Sequence, residues 1–289
     1  MESNSMNIQW YPGHMTKTRR QIEADLKQVD AVCEIVDARI PVSSRNPDID
    51  SICANKPRIV VLNRADLADN EATKRWIRWF RGKGITAIAT DCKSRRGIAD
   101  FEPAVRNVLQ EKIQRDAAKG MNRPLRVMIV GIPNVGKSTF INQISGRKGA
   151  KAENRPGVTR GKQWVTVDSG LLLLDTPGIL WPKFDDPKVG MMLAYTGAVK
   201  ENIIDTEELA CHLMELLWRH YPQVLHERYK IAVSEELPGY ALLEEAGRKR
   251  GYLLARGEIH TERMAKVLLD EYRSGKLGHF TLEIPEDCI

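Results

Sequence analysis

The residues best suited to chemistry form a glycine-rich run, 131–138, that ends in Lys137 and Ser138. The run fits the phosphate-binding pattern G-x-x-x-x-G-K-[ST], with an apolar stretch before it and a helical pattern after it. In such a loop backbone amides turn toward phosphates, the lysine reaches the outer phosphates, and the serine hydroxyl ligates Mg²⁺. The nucleotide-binding residues predicted for this loop are Asn134, Val135, Gly136, Lys137, Ser138 and Thr139, with Lys137 also assigned a catalytic role.

A second motif, at residues 63–66, indicates which base is bound. It approximates the pattern Asn-Lys-x-Asp, in which the aspartate accepts two hydrogen bonds from guanine. Arg64 stands where lysine is usual, and its planar guanidinium can lie over the base. The alternative is a strand followed by an Asn-Asp turn. We predict GTP rather than ATP as the nucleotide, bound by Asn63, Arg64, Ala65 and Asp66, with Asp91 and Cys92 behind the guanine carbonyl.

Two further segments have the character of nucleotide switches. Residues 175–178 fit Asp-x-x-Gly, in which Asp175 reaches Mg²⁺ through water and the amide of Gly178 meets the γ-phosphate. Residues 155–160 fit the other switch, with the Thr159 hydroxyl closing on Mg²⁺, although a mobile-loop hydroxyl is the alternative for Thr159. The predicted Mg²⁺ ligands are therefore Ser138, Thr159 and Asp175.

The guanine motif precedes the phosphate-binding loop, which is the reverse of the usual order and indicates a circular permutation. The helix that begins near His14 then corresponds to the helix that ordinarily follows the Asp-x-x-Gly switch. Ile179 follows Gly178, where many GTPases carry a glutamine that orients water, and isoleucine has no polar atom for that task. His14 is the predicted catalytic substitute, and a surface histidine at a helix start is an equally weighted alternative.

The elements that position these motifs alternate between strands and helices. Runs of branched apolar residues predict parallel strands at 31–36, 59–62, 85–89 and 125–130, and a hairpin at 164–167 and 171–174. A surface helix with a basic outer face is predicted at 14–28, and crossover helices at 71–81 and 98–119. Further helices are predicted at 206–220, 240–250 and 260–273. The pattern predicts an α/β, doubly wound P-loop domain over residues 1–190 and a small all-helical domain over residues 200–289.

The net charge of +6 and pI near 9.0 suit a protein held near a polyanion, or simply a soluble basic protein. Three basic clusters, at residues 17–20, 147–151 and 248–250, favour contact with RNA when taken together. The five cysteines show no close pairing, and no stretch approaches the apolar length of a membrane span. We therefore predict a cytoplasmic protein with reduced thiols.

The chain resembles the ribosome biogenesis GTPase A family, a circularly permuted GTPase family. The resemblance rests on residues 10–15, 37–41, 63–66, 131–138, 175–178 and 180–184. The resemblance implies a GTPase acting in late assembly of the large ribosomal subunit, stimulated by the ribosomal particle, with the N-terminal histidine needed for hydrolysis. It also implies a helical C-terminal domain that binds RNA. Asn134 matches the position linked to activation by K⁺, the alternative being a residue chosen for its loop backbone.

The expected partners are GTP or GDP and the large-subunit precursor with its rRNA, and the expected oligomeric state is a monomer without a membrane contact. A second hypothesis is a nucleotide-gated RNA-binding scaffold in which hydrolysis is incidental. A third is a GTPase of tRNA modification or membrane signalling, and against it the sequence shows no membrane segment and no obvious modification chemistry. Arg64, Tyr11 and the loop at residues 90–93 depart from the family pattern. Asp37 and Arg39, at the end of a predicted strand, face the nucleotide or the ribosome, or form a simple ion pair.

Overall fold

The computed structural model describes residues 13–146, 163–178, 186–199, 205–232 and 237–288, and their side chains except at 13–19, 256, 287 and 288. Their contacts divide the chain into two compact units. One lies within Gln9–Phe184 and also takes up Glu283–Ile289, and the other lies within Asp185–Leu282. The units are called the sheet unit and the helical unit below. The sequence-based boundary between residues 190 and 200 did not include this return of the chain after Leu282.

The sheet unit is built on a six-stranded sheet with the strand order β3-β2-β1-β4-β6-β5. The strands are β1 (Ala31–Asp37), β2 (Arg58–Asn63), β3 (Thr86–Thr90), β4 (Leu125–Val130), β5 (Gln163–Val167) and β6 (Leu171–Asp175). Neighbours from β3 to β6 pair in parallel, and β5 pairs antiparallel with β6 as the predicted hairpin. β1 is buried along its whole length, as expected of a parallel strand covered on both faces.

Helices cover both faces of this sheet, which confirms the predicted doubly wound α/β class. The helices of the sheet unit are α1 (Gly13–Leu26), α2 (Asp48–Ile52), α3 (Asn70–Gly82), α4 (Phe101–Val108), α5 (Gln110–Ala118) and α6 (Lys137–Ser145). Trp76 and Phe80 of α3 pack against Val60 and Leu62. The alternate residues of β2 face the other way, where α4 contacts β2 and β3. Phe101 of α4 packs edge to face on a ring of α6.

One predicted helix, 98–119, is divided in the structure. A short 3₁₀ turn leads into α4, and Leu109 ends α4 with φ −106° and ψ 14° before α5 begins. α4 buries Phe101, Ala104 and Val105, whereas α5 has no buried residue. α4 therefore packs on the sheet through these apolar side chains, whereas α5, which buries none, lies on the surface.

The helical unit contains no strand among its described residues. Its helices are α7 (Pro187–Tyr195), α8 (Thr206–His220), α9 (Pro222–Tyr229), α10 (Gly239–Lys249) and α11 (Thr261–Ser274). α8, α10 and α11 pack on one another through buried leucines such as Leu213, Leu242 and Leu268. Across the described part of the chain, every helix is too short or too polar to span a lipid bilayer.

The chain returns to the sheet unit at Glu283. Its carboxylate accepts hydrogen bonds from the backbone amides of Val42, at 2.7 Å, and Ser43, at 3.1 Å, and from the Ser43 hydroxyl. The indole Nε1 of Trp76 donates to the carbonyl oxygen of Glu283 at 2.8 Å, and Glu286 pairs with Arg75. The segment 283–286 therefore fastens the turn after β1 to helix α3.

Candidate nucleotide-binding site

The chemistry-bearing segments meet at the carboxyl edge of the sheet, where ligands of open α/β sheets bind. β4 leads into the loop 131–136, and α6 begins at Lys137. The strand register sets Asp37 beside Asn63, and Asn63 beside Thr90. Asp175 lies beside Ile129, directly before that loop. Strand pairing alone thus brings the ends of five strands, which are far apart in sequence, to one edge.

Two glycines let the loop 131–136 approach its neighbours closely. A Cβ at Gly131 would lie 2.5 Å from the carbonyl oxygen of Ile35, and one at Gly136 would lie 2.5 Å from Nδ2 of Asn63. Gly136 also has φ 93°, which L side chains rarely adopt. The glycines of the motif are therefore required by backbone conformation and by space.

Lys137 is buried at the start of α6. Its ammonium donates to the carbonyl oxygens of Gly131 at 3.0 Å and Ile132 at 2.8 Å, which curls the loop around it. Burial lowers the pKa of Lys137 to about 8, against the opposing effect of the Asp175 carboxylate. A phosphate oxygen would add negative charge and favour the protonated ammonium.

Asp175 is buried at the end of β6. Burial raises the pKa of its carboxyl group to about 6, although Lys137 and the backbone amide of Thr176 favour the ionised form. Its Oδ1 atom is buried without a hydrogen-bond partner. A buried carboxylate oxygen in this state fits a hydrated divalent cation, the role that the sequence assigns to Asp175.

Gly178 lies against the phosphate-binding loop. A Cβ at this position would lie 2.8 Å from the Cα of Pro133 and 3.0 Å from Nζ of Lys137. The Thr176 hydroxyl donates to the carbonyl oxygen of Ile129 at 2.7 Å, which ties this segment to β4. The backbone at Gly178 is thus held beside the lysine ammonium, where the predicted γ-phosphate contact requires it.

Asn63 connects three loops through its side-chain amide. Its Nδ2 donates to the carbonyl oxygen of Val135 at 2.7 Å. Its Oδ1 accepts from the Thr90 hydroxyl at 3.1 Å and from the Cys92 thiol at 3.2 Å. Burial raises the pKa of Cys92 to about 12, which keeps the thiol protonated and able to donate. Sequence reasoning missed this role of Thr90 and Cys92, for which their position after the neighbouring strand was the available signal.

Arg64, whose backbone φ is 59°, also links its loop to the phosphate-binding loop. Its Nη2 donates to the carbonyl oxygen of Asn134 at 2.6 Å, and its Nη1 lies 3.5 Å from Oδ2 of Asp37. Asp37 in turn accepts two hydrogen bonds from the guanidinium of Arg39, at 2.9 and 2.7 Å. Of the two readings for Asp37 and Arg39, the structure shows the ion pair, buried at the strand end.

The remaining residues predicted to contact the base lie in the same area. The amide of Ala65 donates to the carbonyl oxygen of Thr90 at 3.1 Å, and the side chain of Asp66 is half-buried. Asp91 organises its own loop, since its carboxylate accepts from the amide of Lys93 at 2.8 Å and from the Ser94 hydroxyl. Burial would raise the pKa of Asp91, but these hydrogen bonds hold it below its ordinary value.

Several predicted functional residues fall outside what the structure describes. Thr159 and Ile179 lie outside the described residues, and so does the basic cluster at 147–151. His14 lies in the first turn of α1, and its side chain is not described. Ser138 and Thr139 lie in the first turn of α6, next to Lys137. Among the described side chains no group of three or more histidine, cysteine, aspartate or glutamate residues could hold a metal ion.

The basic cluster of the helical unit, Arg248 to Arg250, is paired with acidic side chains. Arg248 contacts Glu244 and Glu245, and Lys249 contacts Glu245. Arg250 lies 3.3 Å from Glu271. Acidic residues outnumber basic ones within Asp185–Leu282, so the positive net charge of the chain is carried by the rest of the sequence.

Comparison with known proteins places this site in a family context. Residues 126–243 match the model of the family described as 50S ribosome-binding GTPase. The chain is 46% identical over 286 residues to ribosome biogenesis GTPase A of Priestia megaterium, covering 98% of this chain and 99% of that protein. It is 48% identical over 284 residues to the protein of the same name from Bacillus licheniformis, covering 98% and 100%.

A solved structure supports the same relationship. The crystal structure of GNP-bound YlqF from T. maritima superimposes with a TM-score of 0.61 at 29% identity. The match covers 93% of this chain and 99% of the other. The likeness therefore extends over the sheet unit and the helical unit together.

Proposed function

We propose a function from the premise that the chain belongs to the ribosome biogenesis GTPase A family. The chain hydrolyses GTP to GDP and phosphate and assists late assembly of the large ribosomal subunit, binding the precursor and its rRNA in a nucleotide-dependent way. One observation carries the catalytic part of this proposal: Asp175 Oδ1 is buried without a hydrogen-bond partner in the same site as the buried ammonium of Lys137. Both groups gain a partner when a nucleotide with its cation binds.

The residues of this chain have separable tasks in the proposed reaction. Lys137 pairs with the outer phosphates, while Gly178 offers its amide to the γ-phosphate. Asp66 selects guanine through two hydrogen bonds. Ser138, Thr159 and Asp175 would hold Mg²⁺, which would supply positive charge beside the phosphates. K⁺, bound near Asn134, would add to that charge.

The place of α1 supports His14 as the residue that aligns water. Ile22 and Leu26 of α1 pack in one cluster with Met128 and Val130 of β4. Because α1 leads directly into β1, it runs back along the sheet. Its 14 residues span about 21 Å, and the seven residues of β1 span about 23 Å. The backbone of His14 therefore belongs at the carboxyl edge, where the phosphate-binding loop begins.

The order of the motifs supports a circular permutation, in which the guanine motif and β1 to β3 precede the phosphate-binding loop. The segment at Gly178 also precedes the helical unit by few residues in the chain. A change at the γ-phosphate is thereby passed along the chain to the helical unit, which links nucleotide state to binding of the precursor. The net charge of +6 supports contact with rRNA phosphates. We assign the electrostatic part of that contact to residues outside Asp185–Leu282.

The test is GTP hydrolysis in potassium buffer, alone and with purified large subunits, for the wild type and His14→Ala. We expect stimulation by subunits that requires His14, and a lower rate when sodium replaces potassium at equal ionic strength. His212→Ala, which removes a partly exposed histidine of α8, is the matched control and should behave as the wild type. Stimulation without His14 dependence would move the catalytic group elsewhere. Equal rates with and without subunits would remove the ribosomal assignment.

A further inference from the structure

The carbonyl groups of the phosphate-binding loop are held from behind by two consecutive residues. Asn63 Nδ2 donates to the carbonyl oxygen of Val135 at 2.7 Å, and Arg64 Nη2 donates to that of Asn134 at 2.6 Å. In a trans peptide the C=O and N–H groups point in opposite directions. Holding these two carbonyl oxygens toward β2 therefore turns the amides of Val135 and Gly136 away from β2, toward the phosphate-binding side.

How firmly the two carbonyl groups are oriented depends on how firmly the side chains of Asn63 and Arg64 are themselves held. Asn63 is buried, and its Oδ1 has two donors, Thr90 and Cys92. Arg64 is different, because its side chain is 28% exposed and long. A free arginine loses much rotamer entropy when it is held in one geometry. The position of the Asn134 carbonyl group thus depends on what fixes the guanidinium of Arg64.

Asp37 is the group that fixes it. Its Oδ2 lies 3.5 Å from Nη1 of Arg64, and its side chain is only 3% exposed. Arg39 holds the Asp37 carboxylate in place through two guanidinium hydrogen bonds and one from its own amide at 3.0 Å. Although burial raises the pKa of Asp37, Arg39 and Arg64 bring it below its ordinary value, so the carboxylate stays ionised.

We propose that Asp37 is a positioning residue for nucleotide binding, acting through Arg64 on the peptide after Asn134. The inference rests on the proposed function, since it concerns the same nucleotide site. It also explains how this chain accommodates arginine in a motif that usually carries lysine. A lysine has one nitrogen and serves the Asn134 carbonyl group alone, whereas the arginine fork reaches both that carbonyl group and Asp37.

The experiment is a double-mutant cycle on the dissociation rate of fluorescently labelled GDP, measured by stopped flow on the full chain. The variants are Asp37→Asn, Arg64→Lys and both together, with thermal melting of each. We expect Asp37→Asn to speed dissociation about tenfold when Arg64 is present and less than about twofold in the Arg64→Lys background. Arg64→Lys alone should also speed dissociation, because lysine keeps the bond to the Asn134 carbonyl group but loses the contact with Asp37.

Asp50→Asn is the control variant, because Asp50 also bridges two arginines, Arg45 and Arg58, on the same unit. It should leave GDP dissociation unchanged. Equal acceleration by Asp37→Asn in both Arg64 backgrounds, or a lower melting temperature without faster dissociation, would show a merely structural role and overturn the inference. If Asp37→Asn does not fold, Asp37→Glu keeps the charge for Arg39 and should show the same dependence on Arg64. Failure of the wild type to bind labelled GDP would instead refute the proposed function.

Discussion

The sheet unit and the helical unit each bury a carboxylate beside a cation, with opposite results. In the sheet unit, Asp175 keeps one oxygen without a hydrogen-bond partner, and burial raises its pKa to about 6. In the helical unit, Glu271 accepts from Arg228 at 3.0 Å and from the Tyr229 hydroxyl at 2.8 Å. Burial would raise the pKa of Glu271, but these hydrogen bonds bring it below its ordinary value.

The difference separates a site built for a ligand from a structural ion pair. Glu271 has its charge balanced by protein groups, among them Arg250, so its cluster stabilises the packing of α9, α10 and α11. Burial shifts the pKa of Asp175 upward and that of Lys137 downward, so that it favours the neutral form of each group. Under the proposed function, their charges become favourable when phosphate and a cation bind. Three predictions test this contrast.

The largest effect is expected for Lys137→Met. Loss of the ammonium should lower kcat/KM for GTP by about a thousandfold, because a preorganised charge in a dry site is removed. The apo protein should melt at or above the wild-type temperature, since an incompletely balanced buried charge is lost. Steady-state hydrolysis and calorimetry measure the two quantities.

Lys56→Met is the control for that experiment. Lys56 Nζ also donates to a backbone carbonyl group, that of Val29 at 2.7 Å, but lies away from the carboxyl edge. It should leave hydrolysis unchanged. A large drop in melting temperature for Lys137→Met would contradict the contrast, because Lys137 would then be a structural group.

A smaller effect, on stability, is expected for Glu271→Gln. The variant should lower the free energy of unfolding by about 2 kcal/mol, because charge-assisted hydrogen bonds are replaced by weaker ones. Urea denaturation followed by circular dichroism measures this change. Glu244→Gln removes an exposed pairing with Arg248 and should change stability by less than about 0.5 kcal/mol. Unchanged stability for Glu271→Gln would remove the distinction between the two carboxylates.

The smallest effect is a difference in pH response. The folded-state pKa of Asp175 is raised from 3.8 to about 6, so acidification through pH 6 protonates it and favours the apo fold down to about pH 4. The Mg²⁺-dependent gain in GTP-analogue affinity should then fall about tenfold between pH 7 and pH 5. Glu271 has a lowered pKa in the folded state, so it stabilises the fold above about pH 4.5, and this contribution is lost as the pH falls further.

Titrations of labelled GTP analogue with and without Mg²⁺ measure the first part, and pH-dependent melting measures the second. Asp175→Asn is the control, because it lacks the titrating group. In this variant the effect of Mg²⁺ on affinity should be the same at pH 7 and at pH 5. A midpoint near pH 4 for the wild type would mean that Asp175 is solvated like an ordinary aspartate.

Local patterns predicted most of the fold correctly. The strands, the hairpin and helices such as Thr206–His220 follow from runs of branched residues and from helical periodicity. The short helices α2, α7 and α9 were not predicted, since each has few residues to establish a period. The break at Leu109 escaped prediction because α4 and α5 are both helical by composition and differ in burial alone.

The site was predictable where a motif is local and not where partners are distant. The run at 131–138 identifies Lys137 from its own neighbours. The link from Arg64 to Asn134 joins residues 70 positions apart, and that from Asn63 to Cys92 joins residues 29 apart. Such contacts depend on strand order, which a single sequence does not reveal. The ion pair of Asp37 and Arg39 is local in sequence, yet only the folded structure distinguishes it from a role toward the nucleotide or the ribosome.

The return of the chain at Glu283 has a consequence for the timing of folding during synthesis. Ser43 and Glu283 are 240 residues apart, and Trp76 precedes its partner Glu283 by 207. Translation adds roughly 5–20 residues per second. The sheet unit is therefore made many seconds before the segment that fastens its first turn, and in a nascent chain the amides of Val42 and Ser43 stay uncapped until the whole helical unit has been translated.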